Sequence, residues 1–125
     1  MKHLLDINVL LAAIWQQHPH FAKADAWLVG RQVATCPLTE LGFLRISTNK
    51  RALNADMAAS RQLLEAFLQK HKVECIPADL PVLKSSARKS EELTDHYLAD
   101  LASSKGMKFA TFDTGIKHTA AEVIA

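Results

Sequence analysis

Short apolar stretches alternate with longer helix-like stretches along this 125-residue chain, and this alternation is the feature that most restricts its fold. The strand-like stretches read KHLL, RQVATC, VECIP and KFATFD, and a last edge strand is expected at VI, residues 123–124. Strands that alternate with helices are typical of parallel sheets, because each connection must cross over the sheet. The sequence therefore predicts one α/β domain over residues 1–125, with a mostly parallel central sheet flanked by helices.

The stretches between the strands predict helices. Asn8 is expected to cap a first helix that is apolar almost all round, and such a helix must be buried on most sides. Residues 60–68 carry apolar side chains at helical spacing, which predicts an amphipathic helix there. Further helices are expected over 21–30, 37–48, 79–92 and 93–106, the last capped by Thr94 and ended by Gly106.

The composition, 49% hydrophobic and 22% charged, is that of a folded chain rather than a disordered one. The net charge of +2 neither requires nor excludes a nucleic-acid partner, so any basic surface must be local. Cys36 and Cys75 lie in apolar stretches, and two isolated thiols of this kind are expected in the core of a cytoplasmic protein. The apolar run Val9–Trp15 is too short to span a bilayer, so no membrane association is expected.

Four acidic residues fall where a parallel sheet would bring them together. Asp6 and Asp113 end strands, and Glu40 and Asp95 lie in the first turns of helices. Ligands bind outside the carboxyl ends of the strands in such sheets, so these residues are expected to share one edge. Several carboxylates at close range cannot all stay ionised without a counter-charge. A hard divalent cation with oxygen ligands, Mg²⁺ or Mn²⁺, is the expected solution.

The segments that carry these acids resemble those of one known family. LLDINVLLAA, PLTELGFLRIST, LTDHYLADLA and FATFD, in this order, resemble the PIN domains, and in particular the VapC-type ribonuclease toxins of type II toxin–antitoxin systems. The resemblance implies a three-layer α/β/α fold. Its acidic quartet corresponds to Asp6, Glu40, Asp95 and Asp113, which are therefore the expected catalytic residues. Asn8 and Thr111 match supporting positions of the family, whereas Asp100 replaces a frequent alanine, and whether it joins the acidic cluster is left open.

The resemblance also implies an activity and partners. It implies Mg²⁺-dependent endonucleolytic cleavage of transfer or ribosomal RNA, with Mn²⁺ as an alternative cofactor, and hence arrest of translation. A homodimer and a cognate antitoxin protein that neutralises the toxin are implied as well. We expect Asp6, Asp95 and Asp113 to hold the ion, with Glu40 completing the cluster directly or through water. If water attacks the phosphodiester, the product carries a 5′-phosphate.

An acidic site repels RNA, so a basic rim is required to hold the phosphate backbone. Arg45, Lys50 and Arg51 follow the second acid and are the candidate RNA-binding residues. Lys84, Arg88 and Lys89 precede the third acid, although a solvated surface is the simpler interpretation of Lys84.

Two alternatives compete with the nuclease. A phosphatase with an aspartyl nucleophile would need a second acid two residues after the first, where this chain has Asn8. A non-catalytic PIN-like module would bind RNA or protein without metal and without depending on Asp95. Such a module has no physical reason to keep four mutually repulsive carboxylates.

Overall fold

A computed structural model describes residues 1–125 as five strands and five α-helices. The strands are β1 (His3–Leu5), β2 (Val33–Thr35), β3 (Glu74–Cys75), β4 (Lys108–Thr111) and β5 (Ala121–Val123). The helices are α1 (Ile7–Ile14), α2 (Phe21–Leu28), α3 (Pro37–Thr48), α4 (Met57–Lys70) and α5 (Leu93–Ser104). Two 3₁₀ turns, Val82–Lys84 and Ser90–Glu92, precede α5. None of the helices is long and apolar enough to cross a membrane.

The five strands form one sheet in the order β3-β2-β1-β4-β5, and every pairing is parallel. The chain winds from β1 through β2 to β3 on one side, and then returns through α5 to place β4 on the other side of β1. The order therefore reverses between β1 and β4. A reversal of this kind opens a crevice at the carboxyl ends of the two strands, where ligands bind in α/β sheets.

Both faces of the sheet are covered, which gives the three layers expected. Alternate residues of a strand point to opposite faces, and β1 shows this directly: Leu5 packs with the helices α1–α4, whereas Leu4 packs with α5. In β4, Ala110 joins the first core and Phe109 the second. All four side chains are fully buried. Strands that are buried on both faces read as continuous apolar runs, as these do.

The observed helix boundaries match the sequence-based predictions for some helices and differ from them for others. Helix α3 spans 37–48 as expected, with Pro37 at its first position, where a missing N–H costs nothing. Asn8 as the cap of α1 is wrong, because the helix starts at Ile7 and the Asp6 carboxylate caps it. Thr94 is also not a cap, since a 3₁₀ turn runs directly into α5. Gly106, at a φ of +71°, follows the helix end as predicted.

The expected helix over 79–92 does not form. The segment makes two 3₁₀ turns with extended residues between them, and the first of these follows Pro81. Leu83 is 99% exposed, so the segment has no continuous apolar face to bury, and a helix needs such burial to be stable in a protein. Cys75 is also not in the core. It is exposed because β3 is a two-residue edge strand, whereas Cys36 is buried as expected.

Candidate active site

Asp6 stands at the carboxyl end of β1, at the point where the strand order reverses. Its side chain is held in place from two sides. Oδ1 accepts a hydrogen bond from the Ile7 N–H at 2.7 Å, which caps α1, and Oδ2 accepts one from the Thr111 hydroxyl at 2.6 Å. Asp6 is only 4% exposed. The carboxylate is therefore fixed in an apolar setting, where an isolated charge is costly.

The Thr111 hydroxyl joins the ends of β1 and β4. It donates to Asp6 and accepts hydrogen bonds from the Asp113 N–H at 3.0 Å and from Asn8 Nδ2 at 3.4 Å. The Asn8 Oδ1 atom accepts in turn from the Phe112 N–H at 3.3 Å. Asn8 and Thr111 thus fix the loop that carries Asp113 against the start of α1. A hydroxyl provides one donor and two acceptor sites, and this geometry uses all three.

Asp95 and Asp113 line one cavity of about 260 Å³. Asp95 is in the first turn of α5, where the helix dipole favours negative charge. Burial raises the pKa of Asp95, the charge of Asp113 raises it further, and His96 opposes both effects. Two carboxylates of the predicted quartet therefore interact electrostatically across this cavity.

The electrostatics of Asp6 place it in the same cluster. Burial is the largest influence and raises the pKa of Asp6 to about 6, with smaller contributions in the same direction from the charges of Asp95 and Asp113. Hydrogen bonds from Thr111 and from the Ile7 N–H act in the opposite direction but do not offset the rise. The charges of Asp95 and Asp113 therefore disfavour ionisation of Asp6, which is the condition under which a cation is attracted.

Glu40 lies at the same carboxyl-end edge of the sheet, next to the end of β2. It lies in the first turn of α3, and its Oε2 atom accepts a hydrogen bond of 2.6 Å from the hydroxyl of Thr35, the last residue of β2. Burial and the neighbouring Glu40 together raise the pKa of the Cys75 thiol to about 11. Glu40 is thus anchored on the β2–β3 side of the edge, and Asp6, Asp95 and Asp113 lie around β1 and β4.

Comparison with known proteins decides the family. The sequence matches the PIN domain family over residues 3–122. It is also 34% identical to the ribonuclease VapC38 of Mycobacterium tuberculosis, in an alignment that covers 90% of this chain and 86% of that protein. The chain belongs to the PIN-domain family.

Solved structures show the same fold. The crystal structure of VapBC2 from Rickettsia felis, bound to a DNA fragment from its promoter, superposes with a TM-score of 0.63 over 92% of this chain and 90% of that one, at 15% identity. The crystal structure of FitAcB from Neisseria gonorrhoeae gives a TM-score of 0.59 over 92% and 89%, at 23% identity. The parallel sheet and its flanking helices are therefore those of a PIN domain.

The donor set at the PIN-domain edge is made of oxygen atoms, which suits a hard cation such as Mg²⁺. No three His, Cys, Asp or Glu side chains are arranged to surround one ion. Mg²⁺ usually keeps several waters and binds through one or two carboxylates plus a substrate phosphate. Asp95 and Asp113, which share one cavity, and the ordered carboxylate of Asp6 fit that mode of binding. They do not form an all-protein cage.

The remaining candidates lie at different distances from the acids. Arg45 is exposed in the last turns of α3, and Lys50 and Arg51 are exposed beyond its end. At a rise of about 1.5 Å per residue, Thr48, the last residue of α3, is about 12 Å along the helix axis from Glu40, and Lys50 lies beyond it. Asp100 is on another part of α5 and binds Ser86 and His118 rather than the acidic cluster.

Sequence reasoning did not place His96 or Gly115 in the site. Both line the same cavity as Asp95 and Asp113, beside Lys89, which is a sequence-based candidate for the basic rim. His96 follows Asp95 directly, and successive helical residues point about 100° apart, so its presence in the cavity was not expected. The signal that could have identified it is the density of polar residues in the two segments that flank the cavity, one before α5 and one after β4.

Proposed function

We propose that this chain is a Mg²⁺-dependent endoribonuclease toxin that hydrolyses transfer or ribosomal RNA in the cytoplasm and thereby inhibits translation. The observation that supports it most is the convergence of Asp6, Asp95 and Asp113 at the β1–β4 crevice of a PIN domain. Membership of a family that includes ribonuclease VapC38 supports the reaction class. The same resemblance supports a homodimer and neutralisation by a cognate antitoxin.

Each acid has its own part in the proposed chemistry. A divalent cation bound at this edge would offset charge on a phosphate and lower the pKa of a water molecule. Asp6, Asp95 and Asp113 would hold the ion, directly or through water. Two hydrogen bonds keep the Asp6 carboxylate fixed for this role. Glu40, fixed by Thr35, orients the attacking water at the other side of the edge.

The proposal is tested by cleavage of RNA. Purified protein is incubated with total transfer RNA and ribosomal RNA in Mg²⁺, in Mn²⁺ and in EDTA, beside the variants Asp95→Asn and Asp25→Asn. Asp25 is an exposed helical aspartate outside the site, so it controls for the loss of one negative charge. Discrete fragments with 5′-phosphates are expected from the wild type and Asp25→Asn, and none in EDTA or from Asp95→Asn.

Two results would contradict the proposal. Folded wild-type protein that cleaves no RNA in either metal would exclude the nuclease, and RNA binding without metal would then identify a non-catalytic module. Cleavage that persists in EDTA and in Asp95→Asn would exclude the metal-dependent mechanism. The proposed toxicity is tested separately by expression in a bacterial host. Expression of the wild type should arrest growth, and expression of Asp95→Asn should not.

A further inference from the structure

A second cavity, of about 680 Å³, lies beside the acidic site and is lined by polar and charged residues without one apolar side chain. We call it the basic cavity. It shares Lys89, Glu92, His96 and Gly115 with the cavity that contains Asp95 and Asp113. The two cavities are therefore continuous around the first turn of α5. Its size lies within the range of small-ligand sites, roughly 300–1,000 Å³.

Glu92 lines the basic cavity, and Asp100 is hydrogen-bonded to two residues that line it, so both acids are engaged by neighbouring groups. Asp100 accepts hydrogen bonds from the Ser86 N–H at 2.7 Å, from the Ser86 hydroxyl at 3.0 Å and from His118 Nε2 at 2.7 Å. Burial acts to raise the pKa of Asp100, but these hydrogen bonds together hold it below its usual value. Glu92 accepts from the Arg88 N–H at 2.6 Å and from the Lys89 N–H at 3.2 Å.

The arginine and lysine side chains of the same cavity, by contrast, form no ion pairs. The side chains of Arg88 and Lys117 make no ion pair and no hydrogen bond with the rest of the chain. Lys89 makes no ion pair either, although its charge acts on Glu92, whose pKa is lowered mainly by the hydrogen bond from the Arg88 N–H. Other lysines are engaged, as in the pair that Lys105 makes with Asp79 at 2.9 Å. The basic cavity therefore presents positive charge to a ligand, although the Glu92 carboxylate lies in its wall.

Ser86, His118 and Asp100 are close together but do not form a nucleophilic triad. His118 Nδ1 accepts a hydrogen bond from the Ala120 N–H at 3.0 Å, so the proton of the neutral ring is assigned to Nε2, which donates to Asp100. His118 thus has no free basic nitrogen to offer to Ser86. The three side chains instead make a rigid wall that holds the loop before α5 against the loop after β4.

We propose that the basic cavity binds the phosphate of the RNA nucleotide next to the one that is cleaved. This inference rests on the proposed function, in which the acidic site acts on an RNA phosphodiester. A strand that places one phosphate at Asp95 and Asp113 must carry its next phosphate away from the acids, because carboxylates repel it. The continuous basic cavity is the adjoining surface with unpaired cations, and Arg88, Lys89 and Lys117 are its ligands for the phosphate.

The test measures how RNA binding depends on salt. A fluorescein-labelled single-stranded RNA of twelve nucleotides is titrated in EDTA, which prevents metal-dependent cleavage, and anisotropy is followed at several KCl concentrations. The double variant Arg88→Ala/Lys117→Ala is compared with the wild type. Its matched control is Arg61→Ala/Lys70→Ala, which removes the same two charge types from exposed positions of α4.

Each lost phosphate contact should lower the slope of log K against log salt by about 0.7 for a single strand. The basic-cavity variant is therefore expected to have a slope smaller by about 1.4 and an affinity weaker on the order of tenfold near 0.1 M KCl. The control should keep the wild-type slope. In Mg²⁺, the basic-cavity variant should show a raised KM for transfer RNA with kcat little changed.

The outcomes separate this inference from the nuclease. An unchanged slope in the basic-cavity variant, together with normal metal-dependent cleavage, would overturn the phosphate site and leave the nuclease intact. A slope reduced equally in both double variants would overturn it too, because any surface charge would then serve. A reduced slope in a protein that cleaves no RNA would support phosphate binding in the basic cavity but contradict the nuclease, and with it the position of this phosphate beside a cleaved one.

Discussion

The buried carboxylate of Asp6 should make the metal-free protein less stable as the pH rises. A group whose pKa is raised by folding stabilises the folded state below its unfolded-state pKa, and that contribution is lost as the pH rises through the folded-state pKa. For Asp6 these values are 3.8 and about 6. The variant Asp6→Asn carries an amide that does not ionise, so its stability lacks this dependence.

The expected size follows from the same two values. Each pH unit between them corresponds to about 1.4 kcal/mol, so the difference between 3.8 and about 6 gives on the order of 3 kcal/mol. Asp6→Asn also weakens the hydrogen bond to Thr111, but this cost is nearly the same at every pH. The measured quantity is therefore the change with pH in the stability of Asp6→Asn relative to the wild type.

Urea unfolding in EDTA, followed by the fluorescence of Trp15 and Trp27, provides the measurement. Relative to the wild type, Asp6→Asn should gain about 3 kcal/mol between pH 3 and pH 8, with most of the change complete by pH 7. Addition of Mg²⁺ at pH 8 should stabilise the wild type more than the variant, because the ion favours the ionised carboxylate. A relative stability that does not change with pH would refute the argument that burial opposes the charge of Asp6.

Three further substitutions test the packing and the hydrogen bonds around the site, each by urea unfolding. Thr111→Val leaves Asp6 without its hydroxyl donor and should cost about 1–3 kcal/mol at pH 8, whereas Thr111→Ser should retain most of that stability. Gly42→Ala places a Cβ within 2.8 Å of Ile7 Cγ1 and should cost about 1–3 kcal/mol, and a smaller cost in an Ile7→Ala background would identify this contact as the cause. Phe43→Ala, at a fully buried position, should cost about 3–5 kcal/mol, and a loss below 1 kcal/mol would contradict its place in the core.

The sequence predicts the fold well where apolar periodicity and local chemistry agree. The bounds of α3 follow from Pro37 at the start and from the helix formers behind it. The sequence-based prediction fails over 79–92, where helix-forming residues are present but the tertiary structure offers no apolar surface against which Leu83 could pack. It also fails for Cys75, because nothing in VECI reveals that β3 is an edge strand of two residues.

The acidic site could be predicted in part from the sequence, because some of its residues stand at the ends of recognisable strands. Asp6 and Asp113 follow strands, and the position of a strand end is visible in the sequence. The contribution of His118 was not predictable, since its partner Asp100 lies 18 residues away on α5 and pairs with it only because the loop after β4 folds back. Contacts between a loop and a distant helix face leave no periodic signal in the sequence.

The position of β4 between β1 and β5 has a consequence for how the chain folds during its synthesis on the ribosome. Lys108 pairs with His3 across 105 residues of chain, so one long side of β1 stays open until the C-terminal part has been synthesised. Pairings this distant in sequence form slowly, because a large loop must close before they contribute. A nascent chain thus carries Asp6 and Glu40 long before Asp113 joins them. The acidic edge is assembled only when β4 inserts, which ties its formation to the last stage of folding.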